Sequence, residues 1–153
     1  MVGIFKANNP LNTFLLFIYG LLLKLSFFSN AHIPVIQKTD GIFFRALITW
    51  LNKASGGWPI IYTLLTYLLL FTQAVTFNKL INNKRLIQRL TFLPAMSYLL
   101  ITSFFPEWNT FTAALIINTI MIWVWAKMNN LYNSSSPKTD LFNIGMIIGL
   151  RIN

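Results

Sequence analysis

The sequence predicts an all-α protein, a polytopic transmembrane helical bundle with four full spans and the start of a truncated fifth. Three observations predict it. Of the 153 residues, 56% are hydrophobic and only 10% are charged, where a soluble domain keeps about 25% charged residues to wet its surface. The apolar residues fall in runs close to the roughly 20 that a helix needs to cross a hydrocarbon core about 30 Å thick. The charges gather in short clusters between those runs, where lipid headgroups would meet them.

The first span is expected over residues 11–28, after the helix-start signal Asn8-Asn9-Pro10. Its one charge, Lys24, lies near the far end, where a long side chain snorkels to the interface. A cleaved signal peptide ending at Ser29-Asn30-Ala31 is the rival reading, and Lys24 with the bulky Phe27-Phe28 pair argues against it. Residues 42–51 form an apolar run of about 15 Å that carries Arg45, too short to span and suited to an interfacial helix. Trp50 and Trp58 flank its end at the expected headgroup level.

The second span is expected over 59–77. Residues 78–90 follow as a basic cytoplasmic loop with Lys79, Lys84, Arg85 and Arg89, no acid, and enough Leu and Ile to lie along the surface. The third span, 91–105, is short at about 22 Å and holds Pro94 in its first turn. A tight turn at Pro106-Glu107-Trp108-Asn109 leads to the fourth span, 110–126. After a loop over 127–140, a fifth run begins at 141–150 and stops after about ten residues, too few to cross.

Orientation follows from Lys and Arg in the short loops. With the N-terminus in the cytoplasm, Lys6, Lys79, Lys84, Arg85, Arg89, Lys127 and Lys138 lie inside, and Lys38, Arg45 and Lys53 lie outside. Seven against three favours a cytoplasmic N-terminus in a bacterial inner membrane.

The net charge of +9 does not imply a nucleic-acid partner, because the basic residues flank apolar runs rather than forming one stripe. The expected partners are the lipid bilayer and other membrane proteins. No cysteine and one histidine, His32, leave no thiolate or multi-histidine site, so no metal and no cofactor is expected.

The opening Gly3-Ile4-Phe5-Lys6 with Asn8-Asn9-Pro10-Leu11-Asn12, the strings Phe71-Thr72-Gln73-Ala74 and Leu93-Pro94-Ala95-Met96-Ser97-Tyr98, then Glu107-Trp108-Asn109, Asn118-Thr119 and Leu141-Phe142-Asn143-Ile144-Gly145 carry a resemblance along nearly the whole chain. Together they resemble an uncharacterised family, a domain of unknown function, of polytopic inner-membrane proteins from Bacteroidota. Members of that family are about twice as long, in keeping with a fifth span cut off after about ten residues, so the resemblance implies the N-terminal half of such a protein. Leu150-Arg151-Ile152-Asn153 departs from the pattern. Some similar sequences carry a carotene monooxygenase label. Dioxygen chemistry on non-haem iron needs a two-histidine, one-carboxylate site, which His32 alone does not supply. The resemblance therefore implies a membrane class and no activity.

The chain has three acids. Under this topology Asp40 and Glu107 face outward and Asp140 faces the cytoplasm. Two outward carboxylates beside an interfacial helix resemble the layout of membrane-embedded glycosyltransferases, where an acid activates the acceptor or holds a metal and a basic residue binds phosphate. Asp40 and Glu107 are thus the catalytic candidates, and Lys38 and Arg45, with Lys53, the phosphate-binding ones. The plainer reading makes Asp40-Gly41 a turn and Glu107 a helix cap.

Within the spans, Gln73 and Asn118 are the polar groups expected to be buried, as helix glue or as the lining of a substrate path. Three functions remain open. The chain is a scaffold or subunit of a cell-envelope complex without catalysis, an enzyme on a lipid-linked substrate using Asp40 and Glu107, or a small-solute transporter using Gln73 and Asn118.

Overall fold

A computed structural model describes residues 10–36, 41–83, 91–131 and 137–149, and among them all regular structure is helical. Helix α1 spans Pro10–Leu23, with proline at its first position, where the missing N–H costs nothing. At Lys24 the backbone leaves helical geometry (φ −103°, ψ 7°), and α2 resumes over Leu25–Ser29. The ladder is bent rather than ended: the Lys24 N–H donates to both Gly20 and Leu21 carbonyls, at 3.2 and 3.1 Å. The expected span 11–28 is therefore two helical pieces joined at its one charge.

Helix α3, Ile42–Ser55, extends the expected 42–51 by a turn. It ends in two left-handed residues, Gly56 and Gly57 (φ +60° and +79°), a conformation that glycine adopts without a Cβ penalty. Trp58 and Pro59 then open α4, Pro59–Asn83. Its 25 residues span about 37 Å. The expected basic loop 78–90 is thus helical through residue 83, and its remainder lies outside the described residues. Asn82 grips the far side of that segment, donating to the Thr91 carbonyl at 3.1 Å while accepting from the Thr91 N–H at 3.5 Å.

Helix α5, Leu93–Phe104, is shorter than the expected 91–105. Its stop is set by Pro106, which holds the preceding Phe105 extended (φ −111°, ψ 109°). A 3-10 turn, Pro106–Asn109, stands where a tight turn was expected. Helix α6, Ala113–Leu131, and helix α7, Pro137–Gly149, both reach into the expected loop 127–140. The reason is that Lys127 to Leu131 carries no breaker, and Pro137 starts a helix as readily as it ends one.

By length and composition one described helix, α4, is long and apolar enough to cross a membrane; Leu11–Leu23, Leu93–Phe104 and Ala113–Asn129 are shorter apolar helices. The count of four full helical spans is corrected to that extent. Helix α4 is the hub, packed chiefly on α5 and α6, with α1 laid on α5 and α7 on α6. One core joins Phe44 and Ile48 of α3 to Tyr62 and Leu70 of α4 and to Phe111 and Leu115. A second joins Leu16 of α1 to Ala74 of α4 and to Phe92, Ala95 and Leu99. Helix α3 therefore packs on the bundle through Phe44 and Ile48, an i, i+4 pair, and leaves Ile42, Phe43 and Trp50 exposed.

At Gly20 the helices nearly touch. A Cβ there would meet Leu99 Cδ1 at 3.0 Å and the Tyr67 hydroxyl at 3.1 Å. That hydroxyl donates to the Phe17 carbonyl at 2.5 Å, fastening α4 to α1.

Candidate functional site

Several polar residues of the helices face inward. On α1 the four-residue stripe Asn12, Leu16, Gly20, Lys24 is buried, while Leu11, Phe14, Leu15, Ile18 and Leu22 are exposed. On α4 Thr63, Thr66, Gln73 and Asn78 are buried, while Ile60, Leu64 and Leu68 are exposed. Helix α5 buries Thr102 and exposes Leu93, Leu100, Ile101 and Phe104. Two polar clusters result.

The first is centred on Gln73, which is 1% exposed. Its Nε2 donates to Thr119 Oγ1 at 2.6 Å and to the Leu115 carbonyl at 3.3 Å. Its Oε1 accepts from the Tyr98 hydroxyl. One amide thus binds α4 to α5 and α6 with both of its ends engaged. Asn118, expected to share the interior, is exposed on α6. It lies one position before Thr119, and one residue on a helix turns a side chain about 100°. The expected burial thus holds for Gln73 and is corrected for Asn118.

The second cluster is centred on Lys24, which is 2% exposed and so does not snorkel. Its Nζ donates to Thr102 Oγ1 at 3.3 Å and to Asn109 Oδ1, and it lies 6.0 Å from the centroid of the Phe27 ring. Asn109, itself buried, uses Nδ2 to close two terminal carbonyls of α5, Thr102 at 2.7 Å and Phe105 at 2.9 Å. Its amide oxygen is thereby aimed at the lysine. Among the described residues no carboxylate is bonded to this ammonium.

Beside Asn109 opens a cavity of about 260 Å³. It lies between the end of α2, the first turns of α4 and the 106–111 segment, and its polar walls include Ser26, Asn30, His32, Thr66, Asn109 and Thr110. Thr66 is 2% exposed, and its Oγ1 has no hydrogen-bond partner. A buried hydroxyl without a partner forfeits about 1–3 kcal/mol of hydration, so such an atom marks a place that a ligand group or water would complete.

The other sequence candidates are scattered. Glu107 is exposed on the 3-10 turn, whose Pro106 lines the cavity. Arg45 is exposed on α3, and Asp40 and Lys38 lie outside the described residues. No group of three or more His, Cys, Asp or Glu occurs among the described residues. Lys24, Thr66, Thr102 and Asn109 were not among the sequence candidates. The signal for Lys24 was its place in the i, i+4 series from Asn12, which points it to the side on which the helix keeps its glycine.

No family model, curated protein or solved structure matches the chain.

Proposed function

We propose that the chain is a multi-pass protein of the bacterial inner membrane, N-terminus in the cytoplasm, acting as a packing component or scaffold of a cell-envelope complex. The observation that carries this reading is that the helices leave many large aliphatic and aromatic side chains exposed while amides and hydroxyls such as Gln73, Thr66 and Thr102 are buried beside the apolar cores. In water each large apolar side chain left exposed forfeits about 1.5–3 kcal/mol relative to burial. In hydrocarbon the same exterior costs nothing, and the inward amides and hydroxyls become the groups that must find one another.

Lengths fit once the caps are included. Helices α1 and α2, bridged at Lys24, run 20 residues from Pro10 to Ser29, about 30 Å. Helix α6 has 19 residues, about 28 Å. The short α5 is continued by a 3-10 turn whose buried Asn109 satisfies carbonyls at the helix end. Trp50, Trp58 and Trp108 are exposed at the end where α4 begins, and Trp123 and Trp125 on the second half of α6, as two aromatic belts would be. On this reading α7 begins a fifth crossing, and the family resembled by the sequence is of the same class.

Alkaline carbonate extraction of cell envelopes should leave the chain in the pellet, and release into the supernatant would overturn the membrane reading. A reporter fused after Leu90 should read cytoplasmic and one fused after Glu107 periplasmic; the opposite pattern would invert the map. The cavity beside the Glu107 turn favours one rival, an enzyme on a lipid-linked substrate. The chain has no cysteine, so Asp40→Cys with Glu107→Cys forms a disulfide only if the two positions come within about 7 Å between Cα atoms. Ready cross-linking would sharpen that rival, and its failure under oxidant would count against it.

A further inference from the structure

We infer that the cavity between the end of α2, the start of α4 and the 106–111 segment binds a small anionic group of phosphate or carboxylate type. Three features converge on an anion. The Lys24 ammonium sits behind Asn109, one amide from the cavity, and among the described residues its bonded partners are neutral. A buried cation without an opposite charge is costly, and a bound anion would supply that charge. Thr66 lines the cavity, and its buried Oγ1 has no hydrogen-bond partner. The remaining polar walls are Ser26, Asn30, His32 and Thr110, with no carboxylate among them; the Asn30 amide and the Thr110 hydroxyl also donate to the Ser26 and Glu107 carbonyls.

Size narrows the ligand. A volume of about 260 Å³ falls below the roughly 300–1,000 Å³ of drug-sized sites. It is large enough for a headgroup-sized anion. Under a cytoplasmic N-terminus the cavity opens at the outward end of the bundle, near exposed Trp58 and Trp108, at headgroup depth. The anion then has two sources, an acidic lipid headgroup or a free ion. Only the choice of source rests on the membrane reading.

The test uses the full chain purified in a neutral detergent, with inorganic phosphate, phosphatidylglycerol and phosphatidylcholine as separate additions. Ligand at about ten times its Kd should raise Tm by roughly 3–6 °C for a chain of this size. A rise with both phosphate and phosphatidylglycerol establishes the site for free anions. A rise with phosphatidylglycerol alone assigns it to a headgroup. No rise with either, or an equal rise with phosphatidylcholine, overturns the inference.

Lys24→Met should weaken anion binding about tenfold, the loss of a unit charge acting from behind Asn109 without touching the ligand. Thr66→Val removes only the hydroxyl, should fold as well as the parent, and should lose about tenfold in affinity. If Thr66→Val binds the anion like the parent, the cavity is not the site. Because the phosphate arm needs no bilayer, a soluble chain that still binds phosphate would separate failure of the membrane reading from failure of this one.

Discussion

The two buried polar clusters both engage α5 and are finished to different degrees. Around Gln73 both ends of the amide meet groups of other helices, Tyr98 on α5 and Thr119 and Leu115 on α6, and all the partners are neutral. Around Lys24 a full charge is held by a hydroxyl and an amide, and a cavity beside it carries the orphaned Thr66 hydroxyl. A closed neutral network rigidifies and asks for nothing more. An open charged one keeps an unmet demand. That contrast separates glue from site more sharply than residue type does, since both clusters are built from amides, hydroxyls and one long side chain.

The largest effect should fall on the closed cluster. Gln73→Ala leaves the Tyr98 and Thr119 hydroxyls short of a partner and opens a void where three helices meet. Interhelical hydrogen bonds in bilayers average about 0.6 kcal/mol and reach 1.7, so with the void the expected loss is about 2–3 kcal/mol. The unfolding midpoint of the purified chain in SDS mixed micelles checks this. A parent-like midpoint would mean that the amide is not structural, and the comparison would break at once.

Next is the close approach of α1 to α4 and α5 at Gly20. Gly20→Val pushes branched carbon into Leu99 and the Tyr67 ring, neither of which can retreat without disturbing the Tyr67 bond to Phe17. Overpacking of this kind costs about 1–3 kcal/mol. Because Gly20 lies one turn before Lys24 on the same stripe, anion-dependent stabilisation should fall together with the midpoint. A loss of stability that left the anion response intact would uncouple α1 packing from the open cluster.

The open cluster should respond with the opposite sign. Thr66→Val takes away a buried hydroxyl that has no partner, at nearly constant volume, so the unliganded chain should be unchanged or up to about 1 kcal/mol more stable. Destabilisation by more than that in the absence of added anion would show that the hydroxyl already has a structural role.

The helical class, the starts of α3 and α4 and the turn at Pro106 were legible because each rests on local chemistry: apolar run length, Gly-Gly, and proline. The extents of α4 and α6 were not. Lys79 and Lys127 read as loop charges, yet nothing at those positions breaks a helix, and both are exposed in the last turns of α4 and α6. Lys24 was misread for a related reason. Nearness to a helix end implies snorkelling only when the residue faces outward, and its facing was fixed by contacts to Thr102 and Asn109, 78 and 85 residues away. Such contacts leave no mark in a window of sequence. Asp40 and Lys38 lie where the structure describes nothing, so the outward pair of acids remains a reading of sequence alone.

The smallest expected effect tests what the sequence could not separate. Gln73 and Asn118 are both amides inside apolar runs, and hydropathy gives no reason to rank them. Their difference lies in azimuth: Gln73 points at the junction of α4, α5 and α6, whereas Asn118 is on the exposed side of α6 next to Thr119. Asn118→Leu should therefore change stability by no more than about 0.5 kcal/mol as an isolated monomer. In lipid it should be neutral or slightly favourable, since an outward amide in hydrocarbon finds no partner on its own chain. If the chain assembles with other helices, however, an outward amide is the group most able to bond across that contact. Asn118→Leu would then leave the monomer unfolding midpoint in place while reducing the cross-linked complexes seen in native membranes. Loss of both would return Asn118 to the interior and dissolve the distinction between the two amides; loss of neither would leave it an idle group facing lipid.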